Sequence, residues 1–206
     1  MGKILILDTE TCGLTPHKDY GHTQVIELST IEAHHDLPSF LEEVKLDVHE
    51  LITYYQETAY RERFIPSMPI DPRATEVHGI RFKDLIGCRK SEHIELPNTK
   101  YIIAHNAPFD VRALNVKDRP YICTMGLAKV LDKQLKLNFP SHKLDSLIVH
   151  FYSEGEARLV IKETHDALFD TIKVVMLLKK LIEFIPAINS WEELYNFQTI
   201  LKGKKK

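Results

Sequence analysis

The chain has 206 residues, 44% apolar and 27% charged, with 8 Gly and 10 Pro; this suits one globular domain and excludes wholesale disorder or a fibrous repeat. Lys and Arg number 27 against 29 Asp and Glu, a net charge of −2, so no global basic field announces a nucleic-acid partner, although a local groove with metal ions remains compatible. Cys12, Cys88 and Cys123 lie far apart with no C-x-x-C pair, which reads as reduced thiols in a cytoplasmic protein.

Ile4 to Leu7 are four apolar residues in succession, followed by Asp8-Thr9-Glu10-Thr11-Cys12-Gly13. This is the pattern of a strand buried on both faces and central in its sheet. Asp8 also ends the run too early for a secretion signal, and Ile6 stands where N-myristoylation after Gly2 expects Ser or Thr. Residues 23–31 and 59–65 read as a second and third strand. Between them Leu41, Val44, Val48, Leu51, Ile52 and Tyr55 recur at helical spacing. Ser39, three residues before Glu42, resembles a capping box, so one inserted helix is predicted over 39–56.

Pro66, Pro69 and Pro72 make a rigid extended connection. A short helix over 73–77 ends near Gly79, and 83–86 add another turn. Residues 101–104 form a second buried-type strand. His105-Asn106-Ala107-Pro108 then turns into a helix over 109–114, with Pro108 in the first turn, where its missing N–H does no harm. A strand at 121–123 is followed by helices over 125–132, 142–151 and 167–184. The last carries Leu168, Ile172, Val175 and Ile182 in one stripe and is stopped by Pro186.

Residues 191–201 form an amphipathic appendage pinned by Trp191, and 202–206 a basic end suited to solubilising the chain or to weak phosphate attraction. No stretch approaches ~18 uncharged apolar residues, so no membrane span is expected. The element order predicts an α/β domain over 1–186, with a central mixed five-stranded sheet flanked by helices, and a short appendage over 187–206.

The carboxylates are the chemistry. Asp8 and Glu10, two apart on a strand, leave the same face where a central strand runs out of apolar residues. Alone, D-x-E is equally a solvated acidic turn. Asp110 sits in the first turn of a helix after the second buried strand; dipole complementarity explains its helix position but not its strand-end position. Asp170 lines up with Val174, Leu177 and Leu181 on an apolar helix, where a charge needs a partner or a metal; a buried Asp170–Lys173 pair is the simple alternative.

Four hard oxygen donors suit Mg2+ or Mn2+, and two such ions can clamp both oxygens of a displacement at phosphorus. His165, five residues before Asp170, cannot share its helix face. It must lie on the preceding loop, with Asp166 near the N-cap, and a neutral imidazole there can accept the proton of an attacking water. A surface or capping role is its plainer alternative.

Three motifs stand in order: Asp8-Thr9-Glu10-Thr11-Cys12-Gly13-Leu14, Ala104-His105-Asn106-Ala107-Pro108-Phe109-Asp110, and His165-Asp166-Ala167-Leu168-Phe169-Asp170. Together they resemble the DEDDh 3′–5′ exonucleases, the proofreading-subunit-like superfamily with an RNase H-like core. Pro69-Ile70-Asp71-Pro72, Val77-His78-Gly79-Ile80 and Tyr121-Ile122-Cys123-Thr124-Met125 extend the likeness over about 1–185, nearest its exodeoxyribonuclease X branch. The resemblance implies that Asp8, Glu10, Asp110 and Asp170 hold two Mg2+ or Mn2+ ions, with His165 as general base.

It further implies a 3′ end of nucleic acid as substrate, single-stranded or frayed DNA first and RNA as the alternative, with nucleoside 5′-monophosphates released. A non-catalytic binding protein on the same fold is the rival reading. Backbone N–H groups of Thr11 and Cys12 are expected at the terminal sugar and phosphate, Leu14 as a wedge against the last base, Phe109 as a stacking platform, and His78 and Asn106 at the terminal nucleotide. A homodimer, or a polymerase or repair partner, stays open.

Overall fold

The apolar run at the start of the chain becomes the middle of a six-stranded sheet. In the computed structural model, which describes residues 2–15, 23–162, 165–185 and 187–203, β1 (Lys3–Thr11) lies between β2 (Val25–Ala33) and β5 (Thr99–Ala104). It pairs antiparallel with β2 and parallel with β5. β3 (Tyr60–Ile65) extends the sheet beyond β2, and β6 (Tyr121–Cys123) pairs parallel beyond β5. These are the five expected strands. The sixth, β4 (Arg89–Lys90), is a two-residue strand against Phe64 and Ile65; it is too short and too polar to leave a sequence pattern.

Alternation along β1 splits the core. Ile4 and Ile6 join a large apolar cluster with helices on one face, while Leu5 and Leu7 join a smaller one with Ala107 and Val111. The large face is covered by α1 (Leu37–Glu43), α2 (Val48–Thr58), α5 (Thr124–Leu135), α6 (Leu144–Phe151), α7 (Glu154–Ile161), α8 (Ala167–Glu183) and α9 (Trp191–Gly203). The other face carries α4 (Ala107–Ala113). A further short helix, α3 (Pro72–His78), precedes Gly79, whose φ of 74° closes it in the left-handed conformation glycine adopts without strain. No described helix is long and apolar enough to cross a membrane.

The single helix expected over 39–56 is two. Asp36 caps α1 by accepting the Ser39 N–H at 3.1 Å, and Asp47 restarts the chain as α2 through a reciprocal capping box with Glu50. The box therefore belongs to Asp47–Glu50, not Ser39–Glu42; a second cap within a continuous apolar stripe breaks the helix without breaking the stripe. α7 was not expected at all, although Ser153 and Glu156 cap it in the same reciprocal way. Trp191 is buried and donates its indole N–H to the His34 carbonyl at 3.0 Å, fixing α9 to the end of β2. The expected stop at Pro186 and the basic residues 204–206 lie outside the described residues.

Candidate active site

Because β1 and β5 run parallel, both end at the same edge of the sheet, and so do the first turns that follow them. Asp8 and Glu10 leave β1 toward α8, whose first turn supplies Asp170. Thr9 points to the opposite face and donates its hydroxyl to Asp110 Oδ1 at 2.8 Å, tying the first turn of α4 to the end of β1. Glu10, Asp110 and Asp170 are buried and Asp8 is half-buried. One ligand atom from each of Glu10, His165 and Asp170 lies within 4.8 Å of the others. The four acids and the histidine are thus brought to one place.

Four carboxyls this close disfavour one another's charge. Burial, then Asp170, Asp110 and Glu10, pushes Asp8 well above the carboxylate range. Burial, followed by Asp170 and Glu27, pushes Glu10 up to about 9. Burial takes Asp110 to about 7, with the Thr9 hydroxyl pulling the other way. Burial also raises Asp170, opposed by Lys173.

The simple alternative for Asp170 is realised as well: Lys173 is completely buried, contacts Asp170, and reaches Asp145 Oδ1 on α6 at 2.7 Å. Lys173 is thus the direct partner of Asp170 Oδ1 and opposes the burial that raises this carboxyl. A converging set of hard carboxylate oxygens fits divalent cations.

His165 stands outside α8, exposed, with φ 63°. Asp166 follows as the N-cap and accepts the Leu168 and Phe169 N–H groups. Behind it lies a network the sequence pattern did not reveal. Arg61 on β3 reaches Asp166 Oδ2 at 2.5 Å and Glu27 Oε1 at 3.0 Å, and Arg63 Nε reaches the same Glu27 oxygen at 2.7 Å. Glu27 Oε2 in turn accepts the Ala167 N–H at 3.3 Å. The loop before α8 is therefore anchored from two neighbouring strands. The signal available in the sequence was the pair of arginines at period 2, Arg61 and Arg63, which place both side chains on one sheet face.

The residues expected at the substrate are less uniform. Leu14 is 82% exposed. Phe109 is half-buried next to Asp110, and Asn106 is exposed at φ 66°, turning β5 into α4. Burial lowers the His78 pKa, a hydrogen bond with the Thr11 backbone opposes this, and its Nδ1 accepts the Ile80 N–H at 3.0 Å. Cys12 departs from expectation. Its N–H is already given to the Gln24 carbonyl at 2.9 Å and its carbonyl to Asp71 N–H at 2.8 Å, because the strand pairing continues one residue past the bulge at Glu10/Thr11. The Cys12 backbone braces the loop instead of presenting a donor, and burial pushes its thiol up to about 11. Thr11 turns its hydroxyl to the Gly13 carbonyl.

No family model matches the chain. Among curated proteins, DNA polymerase III subunit epsilon of Rickettsia felis is 30% identical over 181 residues, covering 81% of this chain and 68% of that protein. The chain belongs to the DEDDh, DnaQ-like 3′–5′ exonuclease superfamily.

The epsilon subunit of Rickettsia conorii is 28% identical over 179 residues, with 81% and 67% covered. Among solved structures, Exonuclease X in complex with 5′ overhanging duplex DNA superposes with a TM-score of 0.62 at 19% identity, covering 95% of this chain and 99% of that one. A zinc-bound E. coli ExoI–ssDNA complex gives 0.59 at 15%, covering 96% of this chain and 42% of that one. At these identities the structural likeness establishes the fold, which is the RNase H-like α/β fold of exonucleases. The superfamily's enzymes are metal-dependent, and this 3′–5′ exonuclease carries an acidic cluster fit to hold metal.

Proposed function

We propose that the protein is a cytoplasmic exonuclease that hydrolyses the terminal phosphodiester of single-stranded or frayed DNA from the 3′ end, releasing nucleoside 5′-monophosphates. The observation that carries this reading is the convergence of Asp8, Glu10, Asp110 and Asp170, all raised by burial and the first two also by their acidic neighbours, beside His165. Asp8, Glu10, Asp110 and Asp170 would hold two divalent cations, Mg2+ or Mn2+, which would supply charge stabilisation for a displacement at phosphorus. His165 accepts the proton of the attacking water as the phosphorus–3′-oxygen bond breaks. Its exposed, left-handed position outside the helix lets the imidazole reach over the carboxylates.

The terminal nucleotide lies between Leu14, Phe109 and His78, with Asn106 and the Thr11 backbone at its edge. Stacking on Phe109 is worth about 1–3 kcal/mol by analogy with other single-strand binders. The catalytic unit spans 1–186, with α9 as its brace.

The test is digestion of 3′-labelled DNA and RNA oligonucleotides of matched sequence in Mg2+, Mn2+ and EDTA. Stepwise release of mononucleotides from DNA, abolished by EDTA, is the expected result. Binding without cleavage in either metal would overturn the enzymatic reading, and faster loss of RNA would move the substrate to the ribose series.

A further inference from the structure

The Lys173 side chain has no part in the chemistry just described, yet it is buried completely three residues beyond Asp170 on α8. An ammonium so placed must be compensated. Its Nζ is shared between Asp145 Oδ1 on α6, at 2.7 Å, and the Asp170 carboxylate. It also acts on Asp8, opposing the other three acids. A cation is therefore built into one end of the carboxylate cluster, on the atom a metal ion would take.

We propose that Lys173 is a resident counter-cation of the active site: shared between Asp145 and Asp170, it holds the carboxylate cluster together before divalent ions enter and weakens their hold through Asp170. The inference rests on the metal reading above. Asp145 acts as a tether. By drawing the ammonium toward α6, it limits how strongly Lys173 competes for Asp170. Lys173 and Asp145 are thus positioning residues that set the metal concentration at which the site fills.

The experiment compares wild type, Lys173→Met and Asp145→Asn as full chains without nucleic acid, by melting in EDTA and across a Mn2+ titration, with the Mn2+ affinity from calorimetry. Lys173→Met is expected to melt lower in EDTA, to gain more from Mn2+ than wild type, and to bind Mn2+ about tenfold more tightly, as removal of a like charge at contact distance implies. Asp145→Asn, which leaves the ammonium to Asp170 without its competitor, is expected to gain less and bind more weakly.

A merely structural ion pair would lower the melting of Lys173→Met equally with and without Mn2+; that result overturns the inference while leaving the metal reading intact. Should Lys173→Met not fold, Asp145→Asn decides alone, and Mn2+ binding equal to wild type overturns the proposal. A wild type indifferent to Mn2+ would overturn the metal reading itself and this inference with it.

Discussion

Glu10 on β1 and Glu27 on β2 are direct partners across two antiparallel strands, yet their charges are treated in opposite ways. Glu27 is gripped by Arg61 and Arg63 and accepts a helix N–H. Glu10 faces Asp170, Asp110 and Glu27 itself and is pushed up to about 9, burial being the largest cause. Like charges directly opposite destabilise a sheet. Here one is neutralised by arginine, while the other is left facing acids.

This arrangement sets a pH dependence for the metal-free protein. Glu10 titrates near 9 and Asp110 near 7 in the folded chain, against about 4.5 and 3.8 when free. Between about pH 5 and 9 the folded chain keeps protons that the unfolded chain has released, so stability falls as pH rises through that window. In EDTA the melting point is expected to drop by roughly 5 °C or more across it. Glu10→Gln flattens the drop, and Mn2+ removes it. Calorimetric melting at several pH values checks all three.

Asp8→Ala and Asp170→Ala are expected to abolish release of nucleotides while the protein stays folded. Each substitution removes one member of a repelling set, so metal-free melting should not fall for Asp8→Ala. Asp170→Ala strands the buried Lys173 on Asp145 alone, so it should melt lower than Asp8→Ala. Circular dichroism melts alongside the oligonucleotide assay give both readouts.

His165→Asn keeps a residue type that tolerates φ near 63° and removes the base. Turnover is expected to fall by about 10²–10⁴-fold, the usual worth of a positioned general base. KM for the oligonucleotide and the melting point should hardly move, since the side chain is exposed. Steady-state kinetics separate the two parameters.

Arg61→Ala removes the link from β3 to both Glu27 and Asp166 while Arg63 still holds Glu27. A charged hydrogen bond of this kind is worth about 1.5–3 kcal/mol, so stability falls by less than a fully orphaned buried charge would cost. The larger effect is on kcat, expected to fall by about 10–100-fold as the loop carrying His165 loses its anchor. Arg61→Lys, which can still reach one carboxylate but not both, should fall between wild type and Ala. Paired kinetics and melting on the three proteins test the ranking.

The four clustered acids were legible because each falls at a boundary that local pattern marks: the end of an apolar run for Asp8 and Glu10, the turn after one for Asp110, and a charge within an apolar helix stripe for Asp170. The sheet's centre was legible for the same reason, since Ile4–Leu7 and 101–104 are continuous apolar runs. What stayed hidden depends on pairing across the chain. Arg61 and Glu27 are 34 residues apart, and only the strand register brings them together. The Cys12 N–H could not be known to be occupied without the position of Gln24. The break between α1 and α2 was hidden by a stripe that continues through it, and α7 by the alternating charges of its first turns. The buried Asp170–Lys173 pair read as the alternative to metal binding is present in the structure.

Gln198 on α9 donates to the Tyr121 carbonyl at 3.0 Å and accepts the Cys123 N–H at 2.5 Å. Its side-chain amide thus imitates the peptide group of a seventh strand at the β6 margin of the sheet. A chain cut before α9 would lose that imitation together with the Trp191 anchor. The bared rim of β6 would then become a template for stacking against another molecule, so solubility, ahead of catalysis, is the property such a truncation should cost first.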